Sequence, residues 1–167
     1  MNTTSTVAMI IDMQGCFVDD LYAVDKALLV ESQTAILAYC AQEDIPVICV
    51  ELIGCDGTIG PLKRVLKTVP RAHTVRKIHT DSFSNSQVHE TLQGFGAKKL
   101  LLMGLNASAC VLATAKSAVR HGYPVITAEN LIANPRSCCG SKSRDWYQAN
   151  STFFRDILPP EQLLAAV

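Results

Sequence analysis

The feature that most constrains this chain is an alternation of short, almost wholly apolar runs with segments of helical spacing. Residues 7–12 (VAMIID), 45–53 (IPVICVELI), 99–105 (KLLLMGL) and 124–128 (PVITA) are such runs, and residues 73–78 are a weaker one. A run this short that is apolar at nearly every position reads as a strand buried on both faces. Residues 32–43 place Ile36, Leu37, Cys40 and Ala41 on one helical face. Residues 84–93 do the same with Val88 and Leu92 before Gly94 and Gly96, and residues 109–121 form an Ala-rich helix closed by Gly122. The pattern predicts a further helix over 143–154, a short strand near Ile157 and a terminal helix from Pro160. Strands alternating with helices imply a parallel sheet covered on two sides, with right-handed crossovers. The expected fold is one three-layer α/β/α domain over residues 1–167, with a mostly parallel, six-stranded sheet and a flexible tail over 1–6.

Composition narrows the function classes. Hydrophobic residues make up 49% and charged residues 18%, which excludes disorder as a description of the whole chain. Lys plus Arg and Asp plus Glu each number 15, so the basic excess of a nucleic-acid binder is missing. The apolar runs are too short to span a bilayer, so no membrane partner is expected. The polar start lacks the basic segment of a signal peptide. The seven cysteines, Cys16, Cys40, Cys49, Cys55, Cys110, Cys138 and Cys139, are odd in number. Both points predict a cytoplasmic protein with mostly reduced thiols. No C-x-x-C pair offers the usual zinc spacing, and Cys40 and Cys49 read as small core residues.

In open parallel sheets, ligands bind beyond the carboxyl ends of the strands. That rule points to Asp12, Glu51, Lys77 and the turn at 105–110. Asp12 is either a cap for the loop that follows or a partly desolvated carboxylate tuned by its neighbours. Lys77 is either an ordinary solvated lysine or a cation that holds Asp12 ionised and favours a thiolate. Cys110 follows the small-residue turn Asn106-Ala107-Ser108-Ala109 and opens the next helix. It is either a buried structural thiol or a nucleophile, whose pKa the positive helix end lowers from about 8.5. The free N–H groups of such a terminus can hold a developing oxyanion.

Three stretches together resemble the isochorismatase-like cysteine hydrolase family, which includes nicotinamidases and N-carbamoylsarcosine amidases. They are Ala8-Met9-Ile10-Ile11-Asp12-Met13-Gln14 with Phe17; Arg76-Lys77 with Asp81-Ser82-Phe83; and Gly104-Leu105-Asn106-Ala107-Ser108-Ala109-Cys110-Val111, continuing through Thr114-Ala115 to Gly122-Tyr123. The order and separations are also family-like. The resemblance implies a Rossmann-like fold and a triad of Asp12, Lys77 and Cys110. It implies an oxyanion hole made by the backbone N–H groups of Asn106 and Cys110, a cis peptide at Leu105–Asn106, and a homo-oligomer, dimer or higher.

The departures are informative too. Nicotinamidases carry an Asp-x-His metal motif after the second strand, where this chain reads Glu51-Leu52-Ile53-Gly54-Cys55-Asp56-Gly57. His73, His79, His89 and His121 form no ligand spacing, so neither a catalytic metal nor another cofactor is expected. Glu51 is read as a binder of a substrate amine or guanidine, or as a rim carboxylate. Phe17 and Phe83 are read as pocket walls, as core rings, or as both. The turn-rich segment around Cys138 and Cys139 is read as a cover for the site. The expected function is a metal-independent hydrolase acting on a C–N bond of a small amide, ureido or imide-like molecule. The alternatives are vinyl-ether cleavage of isochorismate and a thiol redox or electrophile sensor on the same scaffold.

Overall fold

The computed structural model describes residues 5–137, 146, 149–158 and 162–163. Six strands, β1 (Thr6–Ile11), β2 (Val47–Leu52), β3 (Ala72–Lys77), β4 (Lys99–Gly104), β5 (Val125–Ala128) and β6 (Asp156–Leu158), form one sheet in the order β3-β2-β1-β4-β5-β6. Every neighbouring pair is parallel. The described α-helices are α1 (Gly15–Val18), α2 (Ala23–Gln42), α3 (Gly60–Leu66), α4 (Ser86–Gly94) and α5 (Leu112–Arg120). The strand order reverses between β1 and β4, which opens a crevice at their carboxyl ends.

Alternation along the strands divides the core in two. Ala8, Ile10, Val47, Cys49, Leu101 and Met103 face α2 and α3, where Leu29, Ile36, Leu37 and Leu62 meet them. Val7, Met9, Ile11, Ile48, Val50, Leu100 and Leu102 face α4 and α5, where Val88, Leu92, Val111 and Ala115 meet them. β3 is an edge strand, and only Val75 and Lys77 of it are buried. Gly104, at φ +124°, ends β4 where a Cβ would lie 2.0 Å from the Ile11 carbonyl oxygen. Glycine is therefore required for β1 and β4 to close together beneath the crevice.

Several expectations change. Helix α2 begins at Ala23, not near residue 32, because its first turns leave Val24 and Leu28 exposed and so hide its apolar face in the sequence. Helix α3 is an element the sequence pattern does not predict; it begins at Gly60, with Pro61 in its first turn, where the missing N–H costs nothing. The expected tail does not reach residue 6: the Ser5 carbonyl accepts a bond from Lys98 N–H, and Thr6 already belongs to β1. Cys16 and Cys55 form a disulfide, so the reduced-thiol expectation fails for this pair. Of the helix expected over 143–154, Trp146 and Ala149 are helical but residues 150–154 are turn or irregular, so it stops short of Phe154. Its remaining residues, most of the terminal helix from 160 and the Cys138–Cys139 segment lie outside the described residues.

Candidate active site

Asp12 follows β1, and Lys77 ends β3, two strands away. Lys77 shares its face of the strand with Val75, so alternation aims it into the α4–α5 side of the crevice. Asp12 has φ +53°, a left-handed conformation that short polar side chains tolerate better than most. This breaks the β1 alternation and brings the carboxylate to the same side. Lys77 Nζ lies 2.9 Å from Asp12 Oδ2, with both side chains at 0% exposure. Nζ also donates to the Thr80 carbonyl at 2.8 Å. Neither Asp12 oxygen receives an aligned hydrogen bond from a described residue, so the contact is an ion pair. A buried pair of this kind is weak evidence for stability but strong reason to look for chemistry.

The third group comes from the turn after β4. The Leu105–Asn106 peptide is cis, as the resemblance implies. Residues Ala107–Val111 form one π-helical turn that runs into α5. Cys110 therefore sits inside this wider turn rather than at the first residue of an α-helix. Its thiol shares the Asp12 carboxylate, and the Asn106 N–H is directed at its sulfur. The amides of Ala107, Ser108, Ala109 and Val111 are committed to Ala133 O, Asn134 Oδ1, Asn106 O and Asn106 O respectively. Of the two N–H groups expected to form an oxyanion hole, that of Asn106 meets the Cys110 sulfur and that of Cys110 lies within the π-helical turn.

Electrostatics correct one expectation. The helix end and Lys77 do not produce a low-pKa thiol. Burial pushes Cys110 up to about 11, Lys77 lowers it and the Asp12 carboxylate raises it. Burial also raises Asp12 above the ordinary carboxyl value, against the pull of Lys77 and Cys110. The arrangement is thus a neutral thiol beside a carboxylate of increased basicity, a pair suited to proton transfer.

Two other candidate residues lie elsewhere. Glu51 points to the opposite, α2–α3 face, where it accepts bonds from Thr58 N at 2.8 Å and Thr58 Oγ1 at 2.9 Å. It is the rim carboxylate of the two readings, engaged in holding its own loop. Phe83 stacks on His121 with ring centroids 4.9 Å apart, and Tyr123 is next to it. His121 is eleven residues beyond Cys110, roughly 16 Å along a helix, so Phe83 does not join the triad. Phe17 is half-buried against the α2-side core, close in sequence to Asp12. Among the described residues, no group of three or more His, Cys, Asp or Glu side chains is placed to hold a metal ion.

Several residues of the family-like stretches have supporting roles that the sequence does not assign. Gln14 is buried and its amide joins the end of β1 to the β2 loop, donating to Leu52 O at 3.0 Å and accepting from Leu52 N at 2.7 Å. Ser82 N donates to Thr114 Oγ1 at 3.1 Å, and Asp81 bonds the Ser117 hydroxyl, so the segment after Lys77 is fastened to the helix that carries Cys110. Their polar types were visible, but nothing in their spacing gave their partners.

A parallel α/β sheet with a buried carboxylate, ammonium and thiol gathered at its topological switch defines the class of protein. Residues 6–157 match the isochorismatase domain, and the chain belongs to the isochorismatase family of hydrolases. Streptothricin hydrolase of Streptomyces noursei is 28% identical over 126 residues, covering 71% of this chain. The chain spans only 46% of that relative's length. The MAR1 ribonuclease of Caenorhabditis elegans superposes with a TM-score of 0.78 at 18% identity, over 98% of this chain and 81% of that one. N-carbamoylsarcosine amidase of Thermoplasma acidophilum gives 0.74 at 18% identity, over 89% and 91%. At such identities the structural likeness concerns the fold.

Proposed function

We propose that this hydrolase cleaves a C–N bond in a small amide, ureido or imide-like molecule through a thioester on Cys110, with neither metal nor cofactor. The observation that carries the reading is the fully buried Lys77–Asp12 pair, 2.9 Å apart, with the Cys110 thiol on the same carboxylate. An amidase among the structural neighbours agrees with it.

The chemistry follows from the two raised pKa values. A thiol near 11 does not ionise unaided at neutral pH, so it needs a base at the moment of attack. Asp12 takes the proton from Sγ as sulfur bonds to the carbonyl carbon. The carbonyl oxygen becomes an oxyanion, which the N–H groups of Asn106 and Cys110 stabilise. Asp12 then gives its proton to the leaving nitrogen as the C–N bond breaks. In the second half Asp12 removes a proton from water, the hydroxide adds to the thioester, and Asp12 returns that proton to the departing Cys110 sulfur, leaving an acid product and the free thiol. Lys77 keeps Asp12 charged between turnovers.

The test is a screen of metabolite extracts with mass detection, using Cys110→Ala as the blank. A substrate consumed by the wild type alone, with turnover that survives chelation, is the expected result. Turnover lost on chelation removes the metal-free part of the reading. Release of pyruvate from isochorismate by both proteins selects vinyl-ether cleavage instead. We further propose a homo-oligomer, and a monomeric mass by light scattering contradicts that part.

A further inference from the structure

We propose that Asn134 is a positioning residue for Cys110, acting through Ser108; this rests on Cys110 being the nucleophile. Asn134 lies 24 residues beyond Cys110 in the chain. Its side chain meets the nucleophile turn with both polar atoms. Oδ1 accepts from Ser108 N at 2.9 Å, and Nδ2 donates to Ser108 Oγ at 2.8 Å. An amide side chain accepts from an N–H with its oxygen and donates to a hydroxyl with its nitrogen at the same time, without carrying charge.

The segment that carries Asn134 is itself anchored on both sides of the site. Ile132 bridges in parallel to Gly104, Ala133 N–H reaches Gly104 O, and Ala107 N–H reaches Ala133 O. Beyond it, Arg136 N–H bonds Asp20 O, and Ser137 N–H bonds Asp20 Oδ2, just past α1. Pro135 follows directly and restricts Asn134 to extended backbone, which lowers the entropy lost in fixing it. A short strap thus runs from the end of β4, past the turn, to the helix after Asp12. Asn134 is its side-chain contact with that turn.

The contact has a chemical consequence. The Asn106 N–H meets the Cys110 sulfur, and Asn106 is tied into the turn by its carbonyl, which accepts from Ala109 N–H and Val111 N–H at 3.0 Å each. Taking up Ser108 N–H and Oγ fixes the middle of that turn between the two. A looser turn withdraws a donor from the sulfur, so the thiolate forms less readily and attack slows.

The experiment needs no substrate. Alkylation of Cys110 by iodoacetamide in the native protein is followed at pH 8 by peptide mass analysis, with thermal melting beside it. Asn134→Ala is expected to slow labelling of Cys110 about tenfold, and Cys40 and Cys49 labelling is expected to stay unchanged. Ser108→Ala is expected to give a smaller decrease, and the double variant to match Asn134→Ala, since linked residues are not additive. Asn134→Asp keeps an acceptor for Ser108 N–H but adds a negative charge, so labelling slows while the fold is retained. It serves as the second probe should Asn134→Ala not fold. Wild-type labelling rates in Asn134→Asp and in any folded Asn134→Ala overturn the proposal, as do additive losses in the double variant. Hydrolysis of the screened substrate that persists in Cys110→Ala overturns the nucleophile reading instead, so the two failures are separable.

Discussion

Two faces of one sheet carry the same kinds of groups and use them differently. On the α2–α3 face, Glu51 and Cys49 share Thr58: the hydroxyl meets Cys49 Sγ at 3.1 Å and Glu51 Oε1 at 2.9 Å. On the α4–α5 face, Asp12 and Cys110 share Lys77 as neighbour. Both thiols are pushed to about 11, chiefly by burial. Thiol acidity therefore does not distinguish them. The carboxylate does: Glu51 accepts two hydrogen bonds from Thr58 and is held as structure, while Asp12 faces the Lys77 ammonium and the Cys110 thiol, the group whose proton it would take. Reactivity on this account lies in the base, not in an activated thiol.

The comparison breaks hardest at the nucleophile. Cys110→Ala is expected to abolish turnover, and Cys49→Ala to leave kcat/KM within about threefold. Asp12→Asn keeps shape but not basicity, and losing a proton-transfer partner costs about 10²–10⁴-fold; two dependent steps put the expected loss at the upper end. Glu51→Gln is expected to change turnover less than threefold and to lower stability by about 1 kcal/mol, through weakened bonds to Thr58. Steady-state kinetics on the screened substrate, with denaturant melts, checks all four.

The rim can be broken separately. The Cys16–Cys55 disulfide closes a separation of 39 residues, for which chain entropy predicts a stabilisation of about 4 kcal/mol. Gln14 already joins the same two segments at Leu52 and Asp56, so the fold around Asp12 does not depend on the bridge. Cys55→Ser should lower the denaturation midpoint and leave kcat within about threefold. Collapse of kcat at unchanged fold would show that the bridge shapes the site.

The smallest effect is on pH. Asp12 is raised above its ordinary value of 3.8, so the acid limb of kcat/KM should fall at a pH above that value. Lys77 lowers the Asp12 pKa, so Lys77→Met should move the limb further up. A limb that stays in place in Lys77→Met contradicts the electrostatic role of Lys77.

Much of the fold was legible because β1, β2 and β4 are buried on both faces and carry runs that solvent would not tolerate. The α2 N-terminus was not, since exposed Val24 and Leu28 blur its face, and α3 hid behind its Gly-Pro start. At the site, Asp12, Lys77 and Cys110 were named by their strand ends and by resemblance. The upward shift of the Cys110 thiol is not legible there, because depth of burial is a property of the packed molecule. The disulfide partners and Asn134 were illegible for the same reason: they are brought together by loops, with no periodicity linking them.

The central claim is that Asp12 draws the proton from Cys110 as sulfur attacks. Rapid-quench mass analysis of the Cys110 peptide during turnover of the screened substrate tests it most directly. The account predicts an acyl adduct on Cys110 in the wild type and, in Asp12→Asn, adduct formation slowed at least about a hundredfold. Adduct formation in Asp12→Asn at the wild-type rate would contradict it and confine Asp12 to the hydrolysis of the thioester.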